Sequence, residues 1–168
     1  MSGYEHIVHP FPPLYDARCR VLILGSLPSV KSREQRFFYG HPQNRFWPLL
    51  ARLFGEPVPV TIEEKKVLAL SHHVALWDVI ASCDIVGSGD ASIRNAAPND
   101  LSPILREAPI TAIFCNGKTS GAYFHRYQEK TLGIAATVLP STSPANAAWS
   151  MDRLAAAWQC VAVAAGNE

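Results

Sequence analysis

The stretch RVLILGSLPS, residues 20–29, decides how the rest of the chain is read. Four consecutive apolar residues, Val21 to Leu24, are too few for an ordinary helix. They stop at a Gly-Ser-Leu-Pro-Ser run whose glycine and proline break regular structure. The pattern is a buried strand over residues 20–24 feeding a tight loop. Because the apolar run is continuous rather than alternating, both faces of the strand must be covered, as in a parallel sheet packed between helices.

The same pattern returns three times. Val74-Ala-Leu-Trp77 leads into Asp78-Val79-Ile80 and then a Gly/Ser/Asp loop through Asp90. Thr111 to Cys115 ends in Asn116-Gly117, and Ala135 to Leu139 ends in Pro140-Ser-Thr-Ser-Pro144. Helical spacing fills the intervals. Phe46, Trp47, Leu49, Leu50, Leu53 and Phe54 give a helix over 44–54 that stops at Gly55 with Pro57 beyond. Thr61-Ile-Glu-Glu64 has the form of a capping box opening a helix to about His72. A further helix is expected from Lys118 to about Tyr127, and a last one carries Leu154, Ala157, Trp158 and Val161 on one face.

Strands alternating with helices predict a three-layer α/β/α sandwich around a central, mostly parallel four-stranded sheet. A single domain over 1–168 is expected, with 1–19 as an N-terminal extension packing on it. Ligands of such sheets lie beyond the carboxyl ends of the strands, so GSLPS, NGK and PSTSPAN should line one pocket.

Composition narrows the function. Of 168 residues, 48% are hydrophobic and 17% charged, which supports a folded core. No apolar run reaches the ~20 residues of a membrane span, and the N-terminus lacks the pattern of a secretory signal, so no membrane partner and a cytoplasmic location are expected. A formal charge of +1 gives no general basic field, leaving nucleic-acid binding to local patches and backbone amides. Cys19, Cys83, Cys115 and Cys160 are widely spaced without a CxxC pair; neither a zinc ribbon nor a local iron–sulfur set is suggested, and buried free thiols are expected.

The loops carry few of the sharp motifs. GSLPS has no P-loop lysine, no GxGxxG and no GxSxG spacing. Ser26, Ser29, Ser141 and Ser143 sit at strand ends, but no histidine has a position that pairs it clearly with one of them, so a serine hydrolase triad is a minor alternative. Adjacent His72 and His73 would face apart on a helix and chelate no metal together. Asp78, Asp84, Asp90 and Asp100 suggest turns and caps rather than an acid/base pair. One of Ser141, Ser143 and Asn146 is expected to cap the last helix. FFYGHPQNRFW, residues 37–47, crowds five aromatic rings around polar side chains and could be core or site.

Tyr39-Gly-His-Pro-Gln-Asn-Arg-Phe-Trp47, the glycine loop after the first strand, Leu139-Pro-Ser-Thr-Ser-Pro-Ala-Asn146 and Cys115-Asn-Gly-Lys118 together resemble the uracil-DNA glycosylase superfamily. The resemblance runs from about Pro10 to Val161. His9-Pro-Phe-Pro-Pro-Leu14, Leu76-Trp-Asp-Val79 and Gly87-Ser-Gly-Asp90 look most like the hypoxanthine-DNA glycosylase branch.

The resemblance implies a monofunctional enzyme that flips a deaminated base out of DNA and hydrolyses its N-glycosidic bond. It needs no cofactor and no iron–sulfur cluster, and would work as a monomer associated with the nucleoid during repair. Two positions depart from better-known branches. Leu27 stands where those enzymes place a catalytic asparagine or aspartate, and Ser141 where they place histidine or asparagine. A leucine cannot orient water, so the catalytic role passes to Asn44, where the hypoxanthine branch uses an asparagine. Gly25, Ser26, Leu27, Tyr39, Ser141, Ser143 and Asn146 are the implied substrate contacts, Tyr39 by stacking on the flipped base. Lys31, Arg45 and Lys118 are the implied phosphate contacts. A damage-binding protein of this fold without catalysis is the main alternative.

Overall fold

The computed structural model describes residues 3–166. In chain order the elements are β1 (Glu5–Val8), β2 (Val21–Gly25), α1 (Val30–Gln35), α2 (Phe46–Phe54), α3 (Ile62–Ser71), β3 (Val74–Asp78), β4 (Ile80–Ile85), β5 (Arg94–Pro98) and α4 (Ser102–Glu107). There follow β6 (Ala112–Asn116), α5 (Lys118–Phe124), a π turn over His125–Glu129, α6 (Lys130–Leu132), β7 (Thr137–Leu139) and α7 (Met151–Ala164).

Strands β3-β2-β6-β7 form the central sheet, and all three pairings are parallel. Every residue of β2 and β3 is buried, as their unbroken apolar sequences require. From β2 the chain moves outward to β3, and from β6 it moves the opposite way to β7. Right-handed crossovers therefore place the helices between β2 and β3 on one face and α5 on the other. The reversal lies between β2 and β6, and a crevice opens there above the strand ends. Helix α7 returns to pack on α2, with Trp158 edge-on to Phe46 at 6.0 Å between ring centroids.

The expected extension of β3 through Ile80 is wrong. The chain leaves the parallel sheet after Asp78, and Ile80 begins β4, which pairs antiparallel with β1 and β5 in a second, three-stranded sheet. Asn99 holds this corner, its side-chain amide donating to the carbonyls of Asp78 (2.8 Å) and Ile80 (3.1 Å). The stretch expected as loop thus contains a strand. Irregular register against β5 spaces its buried residues at Ile80, Cys83 and Ile85, which hides the two-residue period.

The N-terminal segment is integral to the fold. β1 pairs with β4, Phe11 and Leu14 are buried, and Leu14 bridges to Leu76 on the edge of the main sheet. The capping box of α3 forms, with Thr61 Oγ1 accepting from Glu64 N and Glu64 accepting from Thr61 N. Helix α7 is capped by Ser150 and not by Ser141, Ser143 or Asn146, because the loop after β7 runs on before the helix starts. Cys19, Cys83 and Cys115 are buried thiols, whereas Cys160 is exposed, contrary to expectation.

Candidate active site

A cavity of about 150 Å³ opens where the carboxyl ends of β2, β3 and β6 meet the loop after β7. That is below the several hundred Å³ of pockets for drug-sized molecules and suits one flat heterocycle. Gly25, Ser26 and Leu27 line it from β2, with Tyr39 and Asn44 from the aromatic segment and Ser141 and Ser143 from the last loop. These predicted residues therefore converge. Asn146 lines a second, adjoining cavity, its amide donating to Ser141 O at 3.0 Å.

Asn44 is held from two sides. Its Oδ1 accepts from the backbone N–H of Phe46 at 2.9 Å, which fixes the orientation of the amide, and from the hydroxyl of Thr142 at 2.8 Å. Thr142 is fully buried and grips Asn116 twice. Its N–H donates to Asn116 Oδ1 at 3.0 Å, and its hydroxyl accepts from Asn116 Nδ2 at 3.0 Å. Asn44, Thr142 and Asn116 thus lock the first loop, the last loop and the end of β6 together. Asn44 Nδ2 has no partner among the described residues and is a donor at the pocket wall.

Tyr39 has φ 53°, a left-handed backbone that costs a bulky residue on the order of 1 kcal/mol. Hydrogen bonds on either side hold it there: Trp47 Nε1–H donates to Phe38 O at 3.0 Å, and Gly40 N–H to Ser32 Oγ at 2.8 Å. The ring stacks on Phe46 with centroids 4.0 Å apart. Its hydroxyl is buried with no well-formed hydrogen bond among the described residues, and burial, then the negative charge of Asp78, push the phenol up against an opposing interaction with the Asn116 side chain, so it stays protonated and able to donate.

Asp78, expected only to make a turn, stands in the pocket. The side chain is 5% exposed, and Oδ2 accepts from His9 Nε2 at 2.7 Å. Oδ1 accepts no hydrogen bond from the described residues. It lies 2.5 Å from the point a Cβ on residue 25 would occupy, with the Tyr39 hydroxyl 3.4 Å from that point. Only glycine at the end of β2 lets the carboxylate and phenol converge. Asp90 also lines the site and accepts from Ser26 Oγ at 3.2 Å. Desolvation raises its carboxyl above the ordinary value, against hydrogen bonds from Ser26 and Thr119.

Arg45 does not fit the expected phosphate role. Its terminal guanidinium nitrogens donate to the carbonyls of Ser143 (3.1 Å), Asn146 (3.0 Å) and Trp149, while Nε is buried without a partner among the described residues, so the side chain is turned into the last loop. Lys31 is exposed and pairs with Glu34 at 3.5 Å, away from the cavity. Lys118 is exposed on the rim of the adjoining cavity. Leu27 packs partly on the small cluster of Ile80, Cys83 and Ile85. The serines are engaged locally: Ser29 caps α1, Ser141 Oγ accepts from Ser143 N, and Ser143 Oγ accepts from Ala145 N. Among the described residues no histidine is hydrogen-bonded to a serine, so a triad is not assembled. Nor do three or more His, Cys, Asp or Glu side chains gather in a way that could hold a metal.

The sequence places Asn116 and Thr142 in the two loops expected to line the pocket but gives them no role of their own, and Asp78 and Asp90 read there only as turn or cap residues. Their common signal was position, each in or just beyond a loop at the end of an apolar run.

Fold and site together define an α/β protein with a base-sized polar pocket at the switch point of a parallel sheet. The Uracil DNA glycosylase superfamily model matches residues 12–164, and the chain belongs to that superfamily. It is 36% identical over 153 residues to a hypoxanthine DNA glycosylase of Methanosarcina acetivorans, covering 90% of this chain and 95% of that one. A hypoxanthine DNA glycosylase of Methanosarcina barkeri is 35% identical over 138 residues, covering 81% and 86%. A solution NMR structure from M. acetivorans, carrying a provisional uracil DNA glycosylase assignment, superposes with TM-score 0.80 at 32% identity, covering 95% of this chain and 99% of that one.

Proposed function

We propose that the protein is a DNA glycosylase that removes deaminated bases, hypoxanthine first among them, and leaves an abasic site. The observation that carries this reading is the free Nδ2 donor of Asn44, fixed by Thr142 and the Phe46 amide on the wall of a base-sized pocket. Near-complete mutual coverage with relatives named for hypoxanthine supports it.

A base in a duplex cannot reach an enclosed cavity, so the nucleotide is extruded and its base enters the pocket beside Tyr39. Hypoxanthine and uracil share a lactam edge, an N–H next to a C=O. Oδ1 of Asp78 accepts from that N–H, and the Tyr39 hydroxyl donates to the oxygen. Adenine and cytosine present a ring-nitrogen lone pair in place of the N–H, which would face the carboxylate unfavourably.

As the C1′–N bond breaks, its electron pair moves onto the base and the sugar becomes oxocarbenium-like. Since Oδ1 of Asn44 is occupied twice, its remaining group is a donor, suited to the negative charge growing on the leaving base. Water adds to C1′, and the proton it loses ends on the departed base, which balances the hydrolysis. Lys118 is the remaining candidate for a phosphate contact, and the protein acts as a monomer in the cytoplasm.

The test uses duplexes containing deoxyinosine, uracil, xanthine or a thymine mismatch, followed by alkaline cleavage of abasic sites. Strand breaks at deoxyinosine are expected. No breaks at any base would refute the enzyme, and binding to lesion DNA without abasic product would establish the damage-binding alternative that Leu27 and Ser141 motivate.

A further inference from the structure

His9 lies behind the pocket, just beyond β1, in the segment that precedes the first parallel strand. Its side chain is 3% exposed. The ring meets Phe11 edge-on with centroids 4.6 Å apart and tilts over Trp77 at 4.3 Å, and the backbone N–H donates to Ala81 O at 2.8 Å. Packing and backbone therefore fix the imidazole before any substrate arrives.

Nδ1 of this ring is buried with no partner, while Nε2 is 2.7 Å from Asp78 Oδ2. An imidazolium would bury a second N–H with nothing to receive it. The proton that can be used is therefore the one on Nε2, which donates to Oδ2. The bond reaches the carboxylate that converges with the Tyr39 hydroxyl over Gly25. A carboxylate without such a tie turns about its last torsion in a broad, roughly two-fold well. With Oδ2 tied, Oδ1 is held over Gly25 at the pocket floor.

We infer that His9 is a positioning residue for base recognition: it holds the Asp78 carboxylate so that Oδ1 meets the lactam N–H. The N-terminal segment thereby becomes part of the substrate site. The inference rests on the glycosylase reading above and adds a specificity device to it.

The test compares single-turnover excision of deoxyinosine with that of deoxynebularine, a purine without the 6-oxo group and the N1–H. His9→Phe keeps a ring against Phe11 and Trp77 and removes the donor. His9→Gln restores an N–H near the position of Nε2. The preference for deoxyinosine over deoxynebularine is expected to fall at least roughly tenfold in His9→Phe, the loss of one hydrogen bond to a charged group, and to recover in His9→Gln. A general loss of folded protein lowers both rates alike and leaves the ratio unchanged. An unchanged ratio in His9→Phe, with active wild-type protein, would overturn this inference alone; wild-type protein inactive on every base would overturn the glycosylase reading and the inference with it. Should the variants not fold, ¹⁵N spectra of the full-length wild-type protein decide: a proton on Nε2 of His9 is expected, and an unprotonated Nε2 overturns the proposal.

Discussion

Replacing Asn44 by aspartate exchanges one N–H₂ for one oxygen and leaves the rest of the site in place. Both tethers of Oδ1 survive, since Phe46 N–H at 2.9 Å and the Thr142 hydroxyl at 2.8 Å donate equally well to a carboxylate oxygen. The new charge lies two residues before the first residue of α2, a helix without acidic residues in its first turn, where a carboxylate gains about 0.3–1 kcal/mol from the helix dipole. Stability of Asn44→Asp should therefore stay within about 1 kcal/mol of wild type by thermal or urea unfolding. The donor facing the leaving base is gone. Loss of one preorganised donor to developing negative charge costs about 10²–10³ in rate, or about 3–4 kcal/mol. Single-turnover cleavage of a deoxyinosine duplex, with enzyme in excess, measures this directly. A rate within threefold of wild type, or above it, would refute the donor role.

Gly25→Ala would place a methyl 2.5 Å from an Asp78 oxygen that His9 prevents from retreating; a stability loss of about 1–3 kcal/mol and at least roughly 100-fold slower excision are expected, read by unfolding and single-turnover assay. Arg45→Ala should lower stability by at least about 2 kcal/mol, because its charged fork holds three loop carbonyls, yet leave the salt slope of DNA binding unchanged. Lys118→Ala should instead reduce the slope of log K against log salt by about 1 without changing stability. In Asp90 the folded carboxyl titrates above the ordinary 3.8, so the folded chain holds the extra proton and stability is lost as pH rises through that window. Asp90→Asn should therefore be more stable than wild type at neutral pH, and the gain should vanish below pH 3.8 in urea titrations across pH.

Much of the main sheet was legible because its strands are apolar on both faces, and burial of that kind leaves a contiguous mark in the sequence. The second sheet was not, since β4 alternates irregularly and β5 is largely exposed. Convergence of the strand-end loops on one cavity followed from topology alone. Individual roles did not. Arg45 reads as a free cation until the loop carbonyls around it are seen, and Asp78 reads as a turn residue until Gly25 beside it shows how much space its carboxylate occupies. His9 lies far from either in sequence, and only the packing of β1 on β4 brings it behind Asp78.

Arg45 has one further consequence. Its side chain ties the carbonyls of the last loop to the start of α2, while its backbone N–H donates to Thr142 O at 3.1 Å. The wall bearing Asn44 and the loop facing it are thus cross-linked through both side chain and backbone. Moving the two apart would break these bonds together, which shifts the distortion needed for extrusion towards the DNA. Base pairs that open at small cost, as mispaired deaminated bases do, enter readily, and sound pairs are turned away by the stability of their own helix before the pocket reads them.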